Sequence, residues 1–111
     1  MTDEDFVNAV ARRAGISTQQ AESLARATLS ALADRLTVGE ADDVASQLPK
    51  GLKEAMIPST PEGEAFDLEE FIDRIRRRAG VSTDQAEVGA GAVMNTLREA
   101  IAEGEFKDMM A

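Results

Sequence analysis

The sequence contains no histidine, cysteine, tryptophan or tyrosine, and each absence removes a class of chemistry. Without His or Cys there is no zinc finger, no His-dependent triad, no cysteine nucleophile and no thiolate iron–sulfur site. Missing cysteine also fits a reducing compartment. No apolar run approaches the roughly 18 residues needed to cross a bilayer. The acidic start Met1-Thr2-Asp3-Glu4-Asp5 is the reverse of a cationic secretory leader. The expected location is cytoplasmic, with no membrane contact. Positive charge is scarce as well: 12 Lys and Arg against 21 Asp and Glu leave a net charge of −9. Such a chain lacks the basic footprint that displaces counterions from nucleic acid, so no specific nucleic-acid partner is expected. The few lysines beside many Ala and Arg suggest a high-GC bacterial genome.

What remains is 111 residues, enough for one domain that buries roughly 60 to 70 percent of its extended surface. The strongest signal is an internal repeat at an offset of 65 residues. Arg12-Arg13-Ala14-Gly15-Ile16-Ser17-Thr18 is matched by Arg77-Arg78-Ala79-Gly80-Val81-Ser82-Thr83. The match extends from Phe6/Phe71 through Gln20/Gln85, Leu32/Leu97 and Asp43/Asp108. Repeat one spans about 2–48, a linker about 49–66, and repeat two about 67–111.

Each repeat reads as three helices. Phe6, Val7, Val10 and Ala14 in one copy, and Leu68, Phe71, Ile72, Ile75 and Ala79 in the other, recur at i, i+3, i+4, i+7 spacings and trace one apolar stripe on each helix. Gly15 and Gly80 close these helices, because glycine takes the left-handed cap conformation without a Cβ clash. Ser17 and Ser82 then serve as N-caps, with Gln20 and Gln85 three residues on to complete capping boxes. The long second helices carry Ala21, Leu24, Leu29 and Leu32 in one copy, and Ala86, Ala90, Val93 and Leu97 in the other. Thr37 and Glu40 have capping-box spacing for a third helix through Val44 and Leu48. Its counterpart after Gly104 reads as short. All three prolines lie in the connector, where Leu52, Ala55, Met56 and Ile57 suggest one turn packed back on the core. Strand periodicity is nearly absent. The predicted fold is all-α: two tandem three-helix repeats packed with pseudo-two-fold symmetry into one helical bundle.

The pattern Phe-x-x-x-Val-x-x-Arg-Ala-Gly-x-Ser-x-x-x-Ala-Glu, followed by an Ala/Leu helix and Gly39-Glu-Ala-Asp-Asp-Val-Ala-Ser-Gln-Leu-Pro49, resembles the bacterial domain-of-unknown-function family 2267. The resemblance covers nearly the whole chain, including the duplication. Repeat two departs from it by ending before a matching Gln-Leu-Pro. The resemblance implies no catalytic residue and no cofactor.

Two candidate sites stand out. Arg12, Arg13, Arg77 and Arg78, with Arg74 and Arg76 nearby, could form an anion- or partner-binding surface, since guanidinium forks match phosphate and carboxylate. Their position also suits a structural role, because cations at a helix C-terminus complement its dipole. Gly89 and Gly91 interrupt a helix at about 1 kcal/mol each, which predicts a close helix contact at both. The carboxylates show no metal or acid–base spacing, so no metal, cofactor or catalytic residue is expected. The chain reads as a non-enzymatic helical protein-interaction module for an unknown protein partner, itself a monomer or weak homodimer. The alternative is an anion- or small-ligand-binding regulator using the Arg-ended helices.

Overall fold

A computed structural model describes all 111 residues. It contains seven helices and no strand: α1 (Asp3–Ala14), α2 (Thr18–Asp34), α3 (Val38–Ala45), α4 (Lys50–Lys53), α5 (Leu68–Ala79), α6 (Thr83–Ala100) and α7 (Glu103–Met110).

Local signals set the helix ends. Ser17, Thr37 and Ser82 each accept a backbone N–H three residues on, and Gln20, Glu40 and Gln85 reach back to complete the boxes. Thr2 and Asp5 form a fourth box at the start of α1. Gly15 and Gly80 end α1 and α5 in the left-handed conformation, at φ 69° and 67°. Their N–H groups donate to Ala11 and Arg76 carbonyls, which satisfies acceptors that a helix end leaves free.

The core forms around α2 and α6, which pack on each other. α1 and α5 each pack on both. α2 is surrounded by three helices, so its buried residues run around its whole circumference from Ala25 to Asp34. Alanines at 21, 25, 27, 31 and 33 of α2 and at 86, 90 and 92 of α6 are buried. Small side chains at these crossings let the axes approach closely. Phe6, Val10, Leu29, Ile75, Val93 and Leu97, all essentially inaccessible, fill the remaining space. Burial of apolar surface of this kind contributes about 25 cal/mol per Å², and it drives the assembly.

Three details differ from the sequence reading. α3 stops at Ala45, and a turn carries the chain to the buried Leu48. α7 is a full eight residues, as long as α3. Its first N–H groups lack a side-chain cap, but Gln47 Oε1 accepts from the Ala102 N–H at 2.6 Å. In the connector, Leu52 and Met56 join the core as expected, whereas Ile57 is 69% exposed. It lies beyond α4 and its closing turn, in the irregular stretch before Pro58.

The rest of the connector straps the end of α2. The Glu64 N–H donates to the Asp34 carbonyl (2.7 Å), and the Val38 N–H donates to the Pro61 carbonyl (3.1 Å). Phe66 lies between two guanidinium groups, 4.0 Å from Arg74 and 5.4 Å from Arg35. These contacts fix the connector beside the N-terminus of α5.

Candidate functional site

The arginines that end α1 and α5 turn inward on the bundle. Arg13 Nη1 donates to Thr96 Oγ1 (2.8 Å) and Nη2 to Glu99 Oε1 (2.7 Å) on α6. Arg78 Nη1 donates to Ser30 Oγ (2.9 Å) and Nη2 to Asp34 Oδ2 (2.6 Å) on α2. Arg77 pairs along its own helix with Asp73 and Glu70. Of the four candidate anion-binding arginines, only Arg12 makes no ion pair, and the four are not gathered into one surface.

A more elaborate cluster centres on Arg74, one turn before that run. Its guanidinium donates to Asp34 (2.9 Å), Glu64 (2.9 and 3.2 Å) and Glu70 (2.8 Å), and its face covers Phe66. Asp34 is 2% exposed, and a buried carboxylate requires partners in this number. Hydrogen bonds from Arg74 and Ser59 hold the Glu64 carboxyl down at about 2. Bonds to Glu64 and Glu70 push Arg74 further above its ordinary value. Arg76 lowers Asp73 in the same way. This cluster ties the connector, α2 and α5 together. With each nitrogen of the Arg74 guanidinium bonded to a carboxylate of its own chain, its chemistry is structural.

The two glycines differ. A Cβ at Gly89 would lie 2.7 Å from Leu24 Cδ1 and 3.1 Å from its Cγ, so α6 meets α2 closely there. Beside this crossing is a small dimple of about 230 Å³, lined in part by Ile16, Val81, Gln20 and Gln85. The close contact expected at Gly91 is absent. A Cβ there meets nothing within 4 Å, and the residue is exposed. Two residues along a helix turn about 200° around its axis, so the pair cannot share one contact.

Gly91 instead lines an open groove of about 1120 Å³ between α5 and α6. Leu32, Phe71, Ile72, Ala90 and Met94 supply its apolar wall, with Met109 and Met110 of α7 at the edge. Five carboxylates (Asp67, Glu69, Glu70, Asp73 and Glu87) and one guanidinium, Arg35, complete the lining. Glu69 and Glu87 are exposed and form no ion pair within the chain. Leu68, at the mouth, is 70% exposed. Thioethers adapt their shape to an incoming apolar surface, so three methionines at one groove suit it to docking. The sequence gives no direct sign of this groove, and Leu68, expected on the buried stripe of α5, is instead exposed beside it as the first residue of the helix.

The fold is thus a small helical scaffold with one apolar, acid-rimmed groove. The chain belongs to the family described as an uncharacterised conserved protein, DUF2267, which matches residues 3–111. No curated protein matches it.

Proposed function

We propose that this chain is a duplicated three-helix unit whose halves pack about a pseudo-two-fold, and that it works as a non-enzymatic helical protein-interaction module. Reciprocal contacts support the symmetry. Arg13 and Arg78 are equivalent in the repeat, and so are their acceptors Glu99 and Asp34, each in the opposite half. Leu24 faces its own equivalent, Gly89. α3 and α7, also equivalent, touch each other.

The observation that carries the functional reading is the open apolar groove over Phe71 and Met94. A concave apolar floor with adaptable methionines and a few unpaired carboxylates at its rim is a common form of binding site. We read the partner as a protein in the bacterial cytoplasm, which fits the missing cysteine. The anion-binding alternative gains no support, since Arg13, Arg77 and Arg78 already pair with carboxylates of the same chain.

The test is a photo-crosslinking residue at Leu68, beside the groove, compared with one at Val38, exposed elsewhere. Discrete heavier adducts in native cells are expected at Leu68 alone. No adduct at Leu68, or the same adducts at both positions, would refute the reading.

A further inference from the structure

The two halves differ in what covers equivalent grooves. In the first half the corresponding surface lies along α1, and the connector helix α4 packs there. The Gly51 N–H donates to both carboxylate oxygens of Asp3 at 2.9 and 3.1 Å. Leu52 and Met56, four residues apart, are buried in the core. The wall beneath is correspondingly drier. Phe6 is 0% exposed where its equivalent Phe71 is 8%, and Leu29 is buried where its equivalent Met94 is only half-buried. No helix packs on the outer side of α5 as α4 packs on α1, and the groove beside α5 is the open one.

Resting on the interaction-module reading, we propose that the open groove binds a short helical turn of a partner protein resembling α4 and its flank: apolar side chains at i and i+4, flanked by lysines. The covered half supplies the template. Its segment Lys50-Gly-Leu-Lys-Glu-Ala-Met56 carries those two anchors, with Lys50 and Lys53 left exposed. Charge supplies the second requirement. Glu70 and Asp73 are already paired with Arg74, Arg76 and Arg77, but Glu69 and Glu87 are exposed and unpaired at the open groove and favour a cationic occupant. Asp3 is replaced by Leu68 at the equivalent position, so the open groove exchanges a backbone-binding carboxylate for one more apolar contact.

The test titrates the ¹⁵N-labelled full chain with a synthetic peptide of sequence Gln47–Ile57. Saturable shifts confined to residues around Phe71, Ala90 and Met94 are expected. A peptide with Leu52→Ser and Met56→Ser should bind at least tenfold more weakly. So should the native peptide on the Met94→Ser chain, since that side chain lines the groove and is only half-buried. The double variant Glu69→Lys/Glu87→Lys should also weaken binding about tenfold. Absence of saturable binding, or binding indifferent to both of these changes, overturns the proposal. A second copy of this chain occupying the groove, seen as a dimer in sedimentation that the peptide dissolves, overturns it too. If the Leu68 cross-link captures a partner whose docking segment lacks lysine, this proposal fails while the module reading stands.

Discussion

The branched end of Leu24 rests on the bare backbone of Gly89, its own equivalent 65 residues later in the chain. Leu24 supplies the side chain, and position 89 lacks one and so makes room. The two central helices can therefore cross closely at that point, which two identical leucines would prevent.

Gly89→Ala should lower stability and Gly91→Ala should raise it. A methyl at 89 collides with the buried Leu24, and overpacking costs about 1–3 kcal/mol. The helix-propensity gain of about 1 kcal/mol offsets part of this, leaving a net loss of about 1 kcal/mol. At 91 only the gain of about 1 kcal/mol remains. Urea melts of both variants check this, and adding Leu24→Ala should reverse the sign at 89. A Gly89→Ala protein more stable than the parent would contradict the crossing.

Arg74→Ala should be the most damaging of the arginine substitutions. Breaking one partner from a buried ion pair costs about 3–5 kcal/mol. Arg78 still covers Asp34, so the lower end, about 3 kcal/mol, is expected. Arg77→Ala removes only exposed pairs and should stay within about 1 kcal/mol. Lysine keeps the charge but replaces the planar fork that spans these three carboxylates with a single nitrogen, so Arg74→Lys should fall between. Equal effects of Arg74→Ala and Arg77→Ala in chemical denaturation would show that the cluster is ornamental.

Stability should be flat from about pH 6 to 8 and decline in acid. No histidine is present to titrate near neutrality. Glu64 protonates at about 2 in the folded chain against an ordinary value near 4.5, and Asp73 and Asp5 are displaced in the same direction. Between those values the unfolded chain holds more protons. The stabilisation is therefore complete above about 4.5 and lost as pH falls toward 2. Urea midpoints across pH read this directly, and Glu64→Gln should flatten part of the slope. A midpoint that rises on acidification would reverse the assignment.

Thr28→Val should stabilise the protein. The Thr28 hydroxyl is fully buried without a hydrogen-bond partner, a penalty of about 1–3 kcal/mol. The equivalent residue in the second repeat is Val93, also fully buried. A gain of about 1 kcal/mol is expected from thermal or urea melts. A loss would mean that the hydroxyl has a partner.

Signals that act over a few residues were legible in the sequence. Ser17 with Gln20, Ser82 with Gln85, and the glycines at 15 and 80 mark helix ends because caps are built from near neighbours. Helical periodicity likewise separates Phe6 and Val10 from the wet face. It does not say which helices become neighbours. Arg13 and Arg78 thus read as helix-end cations, while their acceptors Glu99 and Asp34 lie on other helices. Asp34 gave no hint of burial, since its partners Arg74 and Arg78 are 40 and 44 residues away. The groove is not legible in the sequence because Leu32, Phe71, Met94 and Met109 line it from four different helices. Gly89 and Gly91 lie on opposite faces, as the 3.6-residue turn requires.

The crossing of halves also sets when this chain can become a protein. Arg13 and Glu99 are 86 residues apart, and α1 packs on α6 as well as on its neighbour α2. Most all-helical domains close through local contacts and fold within microseconds to milliseconds. Here α2 can cover one side of α1 at once, but the side that meets α6 must wait for nearly the last helix to be made. At about 5–20 residues per second, that wait is on the order of ten seconds on the ribosome. Through that interval the α6-facing side of α1 stays open to water, or to a chaperone that holds short apolar helices.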